Sequence, residues 1–128
     1  MKIECPDFEY GGKIPSKFTC DGENVNPHIL ISEVPTGTKI LNLIVDDPDS
    51  PTRTWIHWIL KNISPDTKEI PENFVPKGAT EETTTFGKPG YGGPCPGFGE
   101  HRYFFKLSAL DENGNILGTA EWMGRYQR

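Results

Sequence analysis

The sequence predicts an all-β protein built as an antiparallel sandwich. Its apolar runs are short and bounded by turn formers, with 14 glycines and 12 prolines scattered through 128 residues rather than gathered in one tract. No window repeats apolar residues at i, i+3, i+4 and i+7 over the roughly ten residues that a convincing amphipathic helix requires. Several runs alternate with period 2 instead, the spacing of a strand with one buried face. At this length a single domain, residues 1–128, is expected, large enough to bury a core without help from metal or disulfide.

The elements follow in order. Residues 17–20 (KFTC) and 28–32 (HILIS) read as short strands, separated by the turn formers Asp21-Gly22 and Asn26-Pro27. Residues 39–46 (KILNLIVD) are nearly continuously apolar, which suits a central strand covered on both faces. After DDPDSPTR, residues 54–63 alternate so that Trp55, His57 and Ile59 share one face while Ile56, Trp58 and Leu60 share the other. Residues 64–82 hold Pro65, Pro71 and Pro76 without clear periodicity, and read as a surface excursion with room for a helical turn. Residues 101–110 place His101, Tyr103, Phe105, Leu107 and Ala109 on one face; Asn113-Gly114 then turns the chain into a returning strand, residues 116–123.

Composition narrows the function. A net charge of −5 with dispersed basic residues provides no patch for a phosphodiester backbone, so nucleic acid is not an expected partner. No apolar stretch follows Lys2 as in a signal peptide, and the run Ile40 to Val45 is too short to cross a bilayer, so the expected location is cytoplasmic. Cys5, Cys20 and Cys95 form no C-x-x-C pair. They fit three reduced thiols or, in a hyperthermophile, a Cys5 to Cys20 bridge worth roughly 3 kcal/mol.

Chemistry gathers at strand ends. His57 shares its face with Trp55, while His101 and Tyr103 head a stripe that continues as Phe105 and Leu107, so polar groups cap apolar faces where a sandwich opens into loops. Asp47, held in a turn by Pro48, can reach an imidazole and fix its tautomer. The loop GGPCPGFG, residues 92–99, lacks Cβ atoms at Gly92 and Gly93, so its amides could approach an anion while Pro94 and Pro96 hold its path. Two histidines and a carboxylate could also hold Zn²⁺ or act as acid and base on a phosphoester, although no H-E-x-x-H occurs. Cationic imidazoles would bind an anion more tightly as the pH falls through about 6.5.

The conjunction resembles a known family. Asp47-Pro48-Asp49-Ser50-Pro51 with Trp55 and His57, then Gly90-Tyr91, Gly93-Pro94-Cys95-Pro96 and Gly99-Glu100-His101-Arg102-Tyr103, is similar to the signature of the phosphatidylethanolamine-binding proteins, or Raf kinase inhibitor-like proteins, in their bacterial and archaeal branch. The similarity extends through KFTCDGENVNPHI and VPTGTKILNLIVDDPDSP to the closing GRYQR. It implies a Greek-key β-sandwich and a non-enzymatic pocket for phosphate or phosphorylated head groups. Asp47, Pro51, Trp55, His57, Pro94, His101 and Tyr103 would line that pocket, with main-chain donors near Gly93. The resemblance implies no cofactor, catalytic residue or metal. The family's reported roles are lipid head-group binding, control of kinase cascades and inhibition of serine proteases, so the expected partners are a phosphate-like anion or phospholipid head group and, beyond these, a serine protease or kinase. Oligomeric state is left open, a homodimer included. The sequence departs from the family pattern at Ile56, where many eukaryotic members have a second histidine, at Gly97, where a proline is usual in prokaryotic members, and in its short tail after Leu110.

Overall fold

The computed structural model describes all 128 residues, Met1–Arg128. Eight strands form two antiparallel sheets. The smaller has the order β1 (Lys2–Glu4), β2 (Ile29–Ser32), β5 (Glu69–Ile70); the larger has the order β6 (Thr80–Glu81), β4 (Trp55–Ile63), β3 (Ile40–Asp47), β7 (Glu100–Leu110), β8 (Ile116–Gln127). Inward residues of both sheets merge into one apolar cluster, in which Ile3, Ile29, Ile31 and Ile70 of the small sheet meet Leu43, Trp58, Leu60, Phe105 and Leu107 of the large one. No helix is long and apolar enough to cross a membrane.

The strongest sequence patterns become the central strands. β3 lies in the middle of the five-stranded sheet between β4 and β7, as its unbroken apolar run predicts. β7 buries His101, Tyr103, Phe105, Leu107 and Ala109 in strict alternation. Asp111 organises the hairpin into β8, its carboxylate accepting from the amides of Asn113 at 2.9 Å and Asn115 at 2.8 Å while Gly114 takes a positive φ of 83°. β8 runs four residues beyond the expected stop at Met123, because residues 11–14 cover its outer edge. The Ile14 amide donates to the Arg125 carbonyl at 2.8 Å, and the Arg125 amide donates to the Gly12 carbonyl at 2.8 Å.

Three expectations require correction. Residues 17–20 are not a strand: Ser16–Phe18 is a short 3₁₀ helix after Pro15, and the Thr19 hydroxyl donates to the Ser16 carbonyl at 2.8 Å. That local bond competes with any sheet ladder. The alternation expected along β4 breaks at His57, because the register against β3 shifts between Val45↔Trp58 and Asp46↔Ile56. The extra residue at this bulge leaves His57 and Trp58 both buried, while Ile59 pairs with Ile44 on the outer face. The cysteines are neither all reduced nor bridged 5 to 20. Cys20 and Cys95, 75 residues apart, form the disulfide with Cα atoms 5.4 Å apart, and Cys5 is free in the core.

Candidate functional site

At one end of the sandwich the inward stripes of β3, β4 and β7 change from apolar to polar. Asp47, His57, His101 and Tyr103 there border a hollow of about 330 Å³, whose wall is completed by Ser50, Pro51, Trp55, Phe86, Cys95, Pro96 and Gly97. A larger groove of about 440 Å³ lies between β1 and β8 around Tyr10 and Trp122, but neither imidazole nor any residue of the Asp-Pro-Asp loop borders it. The chemistry is at the strand ends.

The Asp-Pro-Asp turn is tied to β7 at two points. Asp47 Oδ1 accepts the Asp49 amide at 2.8 Å, and its Oδ2 accepts Nδ1–H of His101 at 2.6 Å. Asp49 accepts the Arg102 amide at 2.9 Å, Nε at 2.9 Å and Nη2 at 2.8 Å. The Arg102 guanidinium holds the Asp49 carboxyl at about 2, well below its ordinary value. The second ring nitrogen of His101, Nε2, faces the Phe98 carbonyl at 3.0 Å. Since neither a carboxylate nor a carbonyl can donate, this ring satisfies both contacts only by donating from both nitrogens.

His57 is held differently. Its Nδ1 lies 2.6 Å from the Gly92 carbonyl and must donate, which leaves Nε2 as the nitrogen for the hollow. Burial holds its pKa below the ordinary value, partly opposed by the Gly92 carbonyl and the negative charge of Asp47. The neutral ring therefore presents a lone pair, not the second cationic donor that the sequence suggests. Tyr103 packs edge-on against His57 with centroids 5.2 Å apart; burial and then the Asp47 charge push its phenol pKa up, so its hydroxyl keeps the proton.

Of the residues singled out from the sequence, six border the hollow together: Asp47, Pro51, Trp55, His57, His101 and Tyr103. Gly93 and Pro94 do not. The Gly93 amide donates to Asn24 Oδ1 at 2.8 Å, the Gly92 amide to the His57 carbonyl at 2.9 Å, and the Pro94 carbonyl accepts from the Cys20 amide at 3.1 Å. The glycine loop thus spends its amides on positioning His57 and on docking against residues 18–24. Gly93 is required for that docking, because a Cβ there would strike the Phe18 carbonyl oxygen and the Thr19 Cα.

Sequence reasoning missed Ser50, Phe86, Cys95, Pro96 and Gly97 as wall residues. Four of these sit inside motifs already quoted, so adjacency was the available signal. Phe86 had none: residues 82–85 run on along β4 through Thr85, whose hydroxyl accepts the Ile56 amide at 2.9 Å, and deliver the Phe86 ring to a centroid distance of 5.3 Å from His57.

The comparisons bear on the family and the fold. Residues 4–127 match the sequence profile of the family described as phosphatidylethanolamine-binding protein. A UPF0098 protein of Methanothermobacter thermautotrophicus is 39% identical, with 100% of this chain and 99% of that protein covered, and one of Aquifex aeolicus is 41% identical with 100% and 89% covered. Among solved structures, the phosphatidylethanolamine-binding protein homolog CT736 of Chlamydia trachomatis superposes with a TM-score of 0.94 at 36% identity, covering 99% of this chain and 97% of that one. E. coli YbcL superposes with a TM-score of 0.90 at 29% identity, covering 99% and 98%. A match spanning nearly the whole sequence, together with this fold, places the chain in the phosphatidylethanolamine-binding protein family.

Proposed function

We propose that this protein is a non-enzymatic binding module whose end hollow takes phosphate or a phosphorylated head group, and that through this ligand it regulates partner proteins. The observation that carries the reading is the meeting of His57 from β4 and His101 from β7, 44 positions apart in sequence, beside Asp47 and Tyr103 in one small concavity. Polar side chains gathered at the rim of an otherwise apolar concavity are the arrangement of a small-ligand site. Tyr103 and Ser50 supply hydroxyl donors, and His101 supplies Nε2–H once the Phe98 carbonyl yields its place. Trp55, Pro51 and Phe86 form the apolar wall.

Membership of a family of binding proteins supports reading the hollow as a site of binding without turnover. Nothing in the family match or the relatives supports serine-protease inhibition as the alternative. Calorimetric titration with inorganic phosphate and with phosphoethanolamine tests the proposal. His57→Ala and His101→Ala should each weaken binding about tenfold or more, the cost of one or two hydrogen bonds; unchanged affinity in both variants would rule the pocket out.

A further inference from the structure

We propose that the disulfide between Cys20 and Cys95 is a thiol-exchange site for a dithiol reductant, and that its reduction unlatches the strap of residues 95–99 from the mouth of the hollow. The inference concerns access to that hollow and goes beyond the question of which ligand enters it.

The strap is tied at few points. Upstream, the chain is anchored by the Gly93 amide on Asn24 Oδ1 at 2.8 Å and by the Pro94 carbonyl, which accepts the Cys20 amide at 3.1 Å. Downstream, the first ladder pair is Glu100↔Gln127. Between these anchors no backbone-to-backbone hydrogen bond involves residues 95–99. Gly97 and Gly99 have open space where a Cβ would stand, and the Phe98 side chain is 91% exposed. Apart from a contact between Arg128 and Cys95, the remaining ties are Pro96 buried in the wall, the Phe98 carbonyl on Nε2 of His101 at 3.0 Å, and the disulfide. Only the disulfide is covalent. A segment with so few other contacts is among the first to open once that tie is cut.

The bridge is open to attack from the strap side. Cys95 is exposed and borders the hollow, whereas Cys20 is half-buried. A reductant thiolate therefore bonds to Cys95 Sγ, and the S–S electron pair departs with Cys20 Sγ, which takes a proton from solvent. The second thiol of the reductant, deprotonated, attacks its own sulfur in the mixed disulfide, closing the reductant's disulfide and expelling Cys95 as a thiolate. The dithiol is oxidised and the protein disulfide reduced. Arg128 Nη1 lies 3.7 Å from Cys95 Sγ, and its Nη2 is steadied by Asp21 Oδ1 at 3.2 Å, so a positive charge stands beside the departing thiolate. The third cysteine does not interfere, because Cys5 is free in the core and burial pushes its thiol pKa up.

With Cys95 released, the strap lifts from the hollow. It takes the Phe98 carbonyl off His101 and withdraws Cys95 and Gly97 from the wall, while the bonds of the Gly93 and Cys20 amides keep the preceding loop in place.

The test uses the whole oxidised chain in native buffer with dithiothreitol as the reductant. Thiols are trapped with iodoacetamide and located by mass spectrometry, and backbone ¹⁵N relaxation and histidine-ring spectra are recorded before and after. Cys20 and Cys95 should be labelled and Cys5 not; mobility should rise at residues 95–99, and the His101 ring resonances should move while the amides of β3 and β4 stay in place. Arg128→Gln should slow the reduction about threefold or more at low ionic strength, where an exposed charge acts most strongly. Cys95→Ser should show the mobile strap without any reductant, which separates unlatching from side effects of the reagent. A disulfide that resists dithiothreitol until urea unfolds the chain, a reduced protein whose strap and His101 signals match the oxidised form, or Arg128→Gln protein reduced at the wild-type rate would overturn the proposal. None of these readouts needs a ligand, so the phosphate titration above succeeds or fails independently.

Discussion

At the scale of single residues, the roles at the site are set by which atom is already engaged. His57 and His101 are the same side chain in one hollow, yet a carbonyl at Nδ1 leaves the first an acceptor toward the open space, while acceptors face both nitrogens of the second. Gly93 is a second case of an engaged atom. In the sequence it resembles an anion-binding amide, but in the fold that amide belongs to Asn24 and the missing Cβ leaves room for the Phe18 backbone. Gly93→Ala should therefore destabilise the protein by about 3 kcal/mol through overpacking against backbone that cannot rotate away, read as a lower urea midpoint. Wild-type stability would show that the loop has slack the structure does not display.

At the scale of elements, the Asp-Pro-Asp loop and the start of β7 behave as one unit. Asp49 and Arg102 join them through three hydrogen bonds, and the same juncture aims Asp47 at His101. The pH consequence has a definite sign. The folded Asp49 carboxyl titrates near 2, below its unfolded value of about 3.9, so between those values the unfolded chain binds more protons. The pair's stabilisation is complete above about pH 4 and is lost as the pH falls through 2. Both side chains are partly exposed, at 28% and 43%, so screening limits the contribution to about 1 kcal/mol. Asp49→Asn should lower stability by that amount at pH 7 and flatten the acid limb of a melting-temperature profile; an unchanged limb would show that the contact carries no linkage.

The long strands were legible beforehand because their signal is local. The unbroken run of β3, the alternation of β7 and the Asn113-Gly114 turn each state burial or conformation within a few residues. The period-2 reading of β4 held on the His57 side only as far as the bulge, whose single extra residue against β3 carries no mark in the sequence. Residues 17–20 misled because Phe18 and Cys20 alternate like a strand, while Pro15 and the Thr19 hydroxyl favour a tight helical turn.

At the scale of the whole molecule, the wall of the hollow is cross-linked to a distant segment. Cys95 borders the space, and its partner Cys20 lies 75 residues away at the turn that also receives the Tyr91 hydroxyl on the Phe18 carbonyl at 2.7 Å. Closing so long a loop removes conformational freedom from the unfolded chain worth roughly 4 kcal/mol on the entropic account. The double substitution Cys20→Ser, Cys95→Ser should lower unfolding free energy by about 2 to 4 kcal/mol in denaturant titration. Because the Gly93 and Cys20 amides still hold the loop, native-like spectra of β3 and β7 should persist under mild conditions. A variant as stable as the oxidised protein would contradict this account.

By itself the sequence determined the all-β class, the central strands and the inward stripe on which His101 and Tyr103 stand, because periodic burial is written residue by residue into the chain. Only the tertiary structure decided that Cys20 meets Cys95, that Phe86 walls the hollow, that the Gly93 amide belongs to Asn24, and that His57 commits Nδ1 to the Gly92 carbonyl. Those outcomes depend on segments far apart in sequence competing for the same hydrogen-bonding atoms and the same buried volume, and that competition is settled only when the two sheets close on each other.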